Sequence, residues 1–260
     1  MPDAVKYVVS SVLDPGTGAA SSTSSGLPFS NVKDPLVRKV HRTTGKANEF
    51  WRFRASGGAT GINAVGILNH SFSKSAIVLW QGNTTSNFAS PALNTTLSVV
   101  TDSLGTVIPK IGYIYSSVQS YAHWRLVVRD SGNASSTLAI GRIFAGRYIQ
   151  PTINIRDGFS QQIIDPSRRR MVAGRQGYAN IRRKYTELSF GFTDVGEAQA
   201  DQFVAMFNSV GKYAAFLFFL DPDSRPSHNM ILTEFTTDVT KQQRILRQFS
   251  MPQITLSERN

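Results

Sequence analysis

Four histidines, 17 acidic residues and no cysteine are the material from which this 260-residue chain could build a reactive centre. His41, His70, His123 and His228 form no H-x-x-x-H or H-E-x-x-H pair, so helical zinc-ligand spacing is absent. The lack of cysteine excludes a thiol nucleophile, a thiolate metal site and a disulfide scaffold. There is no G-x-S-x-G turn, and neither Gly45-Lys46 nor Gly211-Lys212 completes a phosphate-binding loop. The run GGATGINAVG, from Gly57 to Gly66, lacks dinucleotide-binding spacing and reads as a turn feeding a strand. The acids are scattered, and Asp221 and Asp223 share a D-P-D turn. The chain therefore reads as a non-enzyme that needs no cofactor and no metal.

The residues suited to binding are more concentrated. Net charge is +11, and 19 of the 28 basic residues are arginine. Residues 142–184 hold 10 basic and 2 acidic side chains, whereas residues 185–260 hold 6 basic and 9 acidic. Arg142, Arg147, Arg156, Arg168, Arg169, Arg170, Arg175, Arg182 and Arg183 supply most of the basic excess. Arginine's planar fork suits paired contacts with carboxylates and stacking on aromatics, so these nine are candidate protein-interface residues, with the acidic final third as a complement. A nucleic-acid partner is the weaker reading, because only Tyr178 and Tyr185 lie nearby and no helix-turn-helix or RNA-binding signature accompanies them. Trp51, Trp80 and Trp124 are candidate carbohydrate contacts, since indole rings stack on sugars, but their placement inside strand-like runs also fits a core. Asn69, Asn83, Asn94 and Asn133 begin N-x-[ST] sequons, which here reflect Ser/Thr-rich turns.

The elements that would position these groups are mostly short strands. Glu49–Ala55 places Phe50, Arg52 and Arg54 on one face and Trp51 and Phe53 on the other. Ala4–Val12, Ile62–Leu68, Ser75–Trp80, Ala122–Arg129 and Thr137–Phe144 read as further strands, with weaker ones at Thr96–Thr101 and Ile111–Ser116. Residues 14–31 read as a Gly/Ser/Thr loop. This pattern predicts an antiparallel jelly-roll β-sandwich over residues 1–148. Residues 149–184 read as a basic connector, broken by glycine and proline. Residues 185–260 predict a small α+β domain. In it, Asp194 and Glu197 form a capping box, and Phe203, Met206, Phe207 and Val210 make a helical stripe ending at Gly211. The longest apolar run, Ala214–Leu220, is far short of a membrane span, and the opening residues lack a secretory pattern.

Trp51-Arg-Phe, the run INAVGILNHSFS from Ile62 and AIVLW ending at Trp80 resemble the opening strands of galactose-binding-like, or discoidin-like, jelly rolls. HWRLVVRD (His123–Asp130) and LAIGRIFAG (Leu138–Gly146) look like the closing strand pair. The later runs DPSRRR, RKYTELSFGF, EAQADQF, FLFFLDP and RQFSMPQITLSE resemble structural proteins of tailed-bacteriophage tail tips or baseplates. That resemblance implies a virion protein assembled in the host cytoplasm. It implies a homo-oligomeric ring, trimer or hexamer, below the tail tube, in contact with distal tail, hub and tail-fibre proteins. The alternative, which the jelly-roll resemblance and the tryptophans carry, is a carbohydrate-binding module contacting a host surface glycan. The calcium site of discoidin-like lectins, and the sugar binding that goes with it, do not carry over from the resemblance, because residues 1–141 contain only six dispersed acids.

Overall fold

A computed structural model describes residues 5–151, 155, 159–171 and 177–259. The strands in chain order begin with β1 (Lys6–Val8), β2 (Thr17–Ala20), β3 (His41–Arg42), β4 (Glu49–Arg54), β5 (Thr60–His70) and β6 (Ile77–Asn83). Then come β7 (Leu93–Leu97), β8 (Lys110–Tyr121), β9 (His123–Arg129) and β10 (Ala139–Gly146). β11 (Ser160–Ile164), β12 (Arg168–Met171), β13 (Gly177–Asn180) and β14 (Tyr185–Gly196) precede the helix α1 (Glu197–Val210). β15 (Phe216–Phe219), β16 (Met230–Phe235), β17 (Gln242–Ile245) and β18 (Gln248–Glu258) follow it. No helix among the described residues is long and apolar enough to cross a membrane.

The chain divides into two compact units, Met1–Pro151 with Phe216–Ile231, and Thr152–Ala215 with Leu232–Asn260. The first is an antiparallel β-sandwich. One sheet has the order β2-β4-β9-β6-β7 and the other β3-β10-β5-β8. The chain crosses between the two sheets at most of its connections, which is the jelly-roll path. Alternation in β4 and β9 sends Trp51, Phe53, Trp124, Leu126 and Val128 inward, where they meet Val65, Ile67, Ile111 and Ile143 of the facing sheet. Trp80 and Trp124 stack with centroids 5.7 Å apart at 21°, and Tyr121 meets Trp124 edge-on at 5.4 Å. The β5–β8 register shifts between Ile62 and Ala64, where a step of two residues in β5 spans five in β8, from Gln119 to Ile114, so the bulge lies in β8. Ile62, Val65 and Ile67 of β5 all belong to the core.

Phe216–Ile231, read from sequence as part of the C-terminal domain, groups with the first unit because β15 pairs antiparallel with β1. It also covers the second face of the four-stranded sheet. A Cβ on Gly66 would sit 2.7 Å from Leu217 Cδ2 and 2.9 Å from Met230 Sδ, so any larger residue there would make those two side chains shift. This double covering explains why β5 and β10 are apolar almost throughout rather than alternating. Residues 14–31 are held by their own chain: β2 pairs with β4, and Ser21 and Ser22 hydrogen-bond the Glu49 carboxylate.

The second unit is α+β. β14 pairs with β11 and β18, and β18 also pairs with β16 and β17, all antiparallel. α1 packs on this sheet, with Phe203 against Phe192 at 4.8 Å and Phe207 against Phe235 at 5.3 Å. The stretch read as a connector is regular over part of its length, with β11 in the sheet and β12 paired to β13 as a two-stranded ribbon. The expected capping box does not form. β14 continues through two register shifts to Gly196, so Asp194 lies within the strand at φ 59° and Gly196 caps the helix without a side-chain bond. Gly211 does end the helix, at φ 56° and ψ −154°, with its N–H on the Phe207 carbonyl. That conformation is nearly glycine-only, so Gly211→Ala should destabilise the second unit by roughly 1–3 kcal/mol. A urea titration followed by a reporter in that unit would show the midpoint fall.

Candidate ligand-binding face

The outward side of the five-stranded sheet is built by the residues that alternate with the core. On β4 these are Phe50, Arg52 and Arg54, and on β9 His123, Arg125, Val127 and Arg129. Strand register sets them in rows. Arg52 is the Cα partner of Arg125, which is the partner of Gln81, which is the partner of Asn94. One row along, Arg54 partners His123 and His123 partners Asn83. A flat, rigid strip of planar polar side chains results.

Hydrogen bonds fix that strip. Arg125 donates from Nε to Gln81 Oε1 at 2.8 Å and from Nη2 to the Phe88 carbonyl at 3.1 Å. Gln81 in turn donates to Asn94 Oδ1 at 3.0 Å. Phe88, from the β6–β7 connection, is buried beneath two guanidiniums: Arg125 lies 4.4 Å and Arg52 5.6 Å from its ring centroid. Arg52 also lies over Phe50 at 5.3 Å. Asn83 and Asn87 hold the connection in place through side-chain bonds to the Asn87 carbonyl and to the Thr84 and Ala89 N–H groups.

The electrostatics are one-sided. Burial and then the guanidiniums of Arg52 and Arg129 hold Arg125 below the usual arginine range. Burial, Arg54 and Arg52 likewise push His123 down, so it stays neutral at neutral pH. The only acid in the five strands is Glu49, and it faces the other way, bonded to Ser21 and Ser22. Nothing on this face pairs a nucleophile with a base, and among the described residues no group of His, Cys, Asp and Glu is arranged to hold a metal ion. What the arrangement offers chemically is recognition: forked donors on a preformed surface.

No protein-family model and no curated protein sequence matches the chain. Several solved structures are similar to it over about half its length. The lectin domain of lectinolysin complexed with Lewis B antigen is 13% identical, with TM-score 0.40, over 53% of this chain and 96% of that one. A Streptococcus pneumoniae fucose binding module, SpX-3, is 10% identical, with TM-score 0.42, over 54% and 99%. The family 32 carbohydrate-binding module of C. perfringens NanJ, in complex with galactose, is 12% identical, with TM-score 0.39, over 54% and 98%. The β-sandwich assignment of the first unit rests on its own strand pairing and core.

The residues singled out from sequence fall elsewhere. Trp51, Trp80 and Trp124 are fully buried in the sandwich, so none presents a ring face to a sugar. Arg142 is not an interface residue: only 3% exposed, it pairs with Asp14 at 2.6 Å and lies over Phe144. Arg147, Arg168, Arg170, Arg182 and Arg183 are exposed. Arg156 and Arg175, and the side chain of Arg169, lie outside the described residues. Part of the acidic complement pairs within the chain, as Asp194, Asp201, Glu234 and Asp238 pair with Arg244, Lys241, Arg259 and Lys212. Arg52, Arg54, His123, Arg125 and Gln81 were not picked out as a site. The signal was the pair of strands with arginine at alternate positions, which matters only once those strands are known to be neighbours.

Proposed function

We propose that the protein is a non-catalytic carbohydrate-binding module whose contact surface is the outward face of the five-stranded sheet. The observation that carries this is the row Arg52, Arg125, Gln81 and Asn94, in which Arg125 bonds Gln81 and the Phe88 carbonyl, Gln81 bonds Asn94, and the Phe88 ring lies against both guanidiniums. Such a strip presents fixed planar donors and acceptors to a hydroxyl-rich ligand at low ordering cost. A glycan array with the intact protein should give a defined set of ligands, and calorimetry should show at least tenfold weaker binding for Arg125→Ala. Absence of any glycan hit, or hits that Arg125→Ala leaves unchanged, would end this reading.

A second reading is favoured by a different feature. The β12–β13 ribbon is a two-stranded hairpin, a form marginal in water by itself, and Arg168, Arg170, Arg182 and Arg183 around it are exposed. Ile163 and Ile181 beside it are 69% and 84% exposed. This supports assembly by protein contacts, the role that the resemblance to phage tail-tip proteins implies: a ring of identical subunits joined to other tail proteins in a virion. Arg168→Glu with Arg170→Glu should convert closed oligomers to monomers in light scattering. A wild-type protein that is monomeric at all concentrations and missing from purified particles would rule it out.

A further inference from the structure

The carbohydrate reading says nothing about the charge of the ligand, but the same face does. Five basic side chains, Arg52, Arg54, His123, Arg125 and Arg129, share it, and no carboxylate from its strands faces them. None of them makes an ion pair among the described residues, whereas Lys6, Lys39, Arg142, Lys184, Lys212, Lys241, Arg244 and Arg259 each do. Arg52 and Arg125 sit directly opposite each other on neighbouring strands. Like charges so placed work against the sheet. Arg52 Nε is also buried without a hydrogen-bond partner, an unmet donor within this row.

Resting on the carbohydrate reading, we propose that this face binds an acidic polysaccharide, one bearing carboxylate or sulfate groups, with Arg52, Arg54 and Arg125 as its anion contacts. Neighbouring strands lie about 4.8 Å apart and alternate residues about 7 Å apart, so the three guanidiniums form a compact lattice of positive charge. A carboxylate or sulfate has the oxygen spacing that a guanidinium fork meets with two bonds. Bound anions would relieve the Arg52–Arg125 repulsion. Phe88 and Gln81 hold Arg125 in place beforehand, so little side-chain freedom is lost on binding.

The intact protein would be titrated by calorimetry with dextran sulfate, polygalacturonate, neutral dextran and oligo-dT. Binding is expected to the two acidic polysaccharides and not to neutral dextran. Affinity should fall on the order of tenfold to a hundredfold between 50 and 200 mM salt, as three or so contacts release counterions. Arg52→Gln and Arg125→Gln should each weaken binding by tenfold or more. The paired control Arg38→Gln/Arg225→Gln, exposed arginines away from this face and a larger loss of charge, should not. Without ligand, Arg52→Gln should melt about 2 °C higher, because one of two opposed charges is gone. Salt-insensitive binding to neutral glycans on this face would leave the carbohydrate reading standing and overturn the acidic one. Binding to nothing in the panel or on the glycan array would remove both. Oligo-dT bound as tightly as dextran sulfate would show a polyanion surface without sugar recognition and overturn the proposal. Equal loss in the control pair, or a lower melting point for Arg52→Gln, would overturn the site.

Discussion

Acidification from pH 7 to pH 4 should strip several kcal/mol of stability from the first unit. The cause is two histidines buried as neutral rings. His41 accepts a hydrogen bond at Nδ1 from the Trp51 indole N–H at 2.8 Å, and its other nitrogen meets Thr23 Oγ1 at 3.2 Å. A proton on Nδ1 would set donor against donor inside the core. His70 accepts at Nδ1 from the Phe72 N–H at 3.2 Å and stacks on that ring at 4.5 Å. Burial holds each at about 4 instead of 6.5, against the opposing pull of Ser22 and Glu49 on His41 and of Asp130 and Lys110 on His70.

The sign follows from which state binds more protons. Both pKa values are lower folded than unfolded, so between pH 6.5 and 4 the unfolded chain takes up protons that the folded chain refuses. The stabilisation is complete above pH 6.5, declines as pH falls, and is exhausted below pH 4. A shift of this size is worth roughly 3 kcal/mol for the deeply buried His70. His41 contributes with the same sign and at most the same size. Denaturant midpoints at half-unit pH steps should therefore fall steeply over that window for wild type. His41→Gln/His70→Asn should start lower and then stay nearly flat. An equally steep profile in the double variant would show that other groups govern the acid response.

Much of this architecture could be read from the chain, and the reasons for the misses are physical. Period-two alternation in Glu49–Arg54 and in His123–Arg129 separates core tryptophans from outward arginines by itself. It cannot say that these strands pair, because their contact spans more than 70 residues of chain. The Arg52–Arg125 juxtaposition, and with it the candidate site, therefore appears only in the fold. Charge density along the sequence pointed instead to residues 142–184, where arginines are close in sequence but, at Arg142, not on the surface. The D-x-x-E motif at Asp194 failed for a related reason. A capping box requires the strand to have ended, and β14 is held open to Gly196 by its pairing with Gln248. The apolar content of Phe216–Ile231 suits any buried strand, and only its pairing with β1 selects the first unit over the C-terminal domain that chain order suggests.

Asp14→Ala should be among the most damaging single substitutions in the first unit even though Asp14 is near the surface, costing about 3 kcal/mol. Its carboxylate is the counter-ion of Arg142, whose side chain is almost wholly buried while that of Asp14 is 37% exposed. It also offsets the repulsion between Arg142 and Lys33; burial already holds Lys33 below the usual lysine range, with Asp14 opposing that shift and Arg142 adding to it. Removing the carboxylate leaves a buried guanidinium unpaired, the costly half of a broken ion pair. Arg142→Met should behave differently. Arg142 Nε and Nη1 have no hydrogen-bond partners as it stands, and its stem already packs on Phe144, so an apolar replacement gives up little and removes a desolvated charge. The single Arg142→Met change is expected within about 1 kcal/mol of wild type. In Asp14→Ala/Arg142→Met most of the Asp14→Ala loss should return, because the stranded charge is gone. A double-mutant cycle in urea measures that coupling. Additive losses would mean that Asp14 acts through its backbone or another partner. Unchanged stability in Asp14→Ala, with weakened self-association in Arg142→Met, would restore Arg142 to the interface that charge density first suggested.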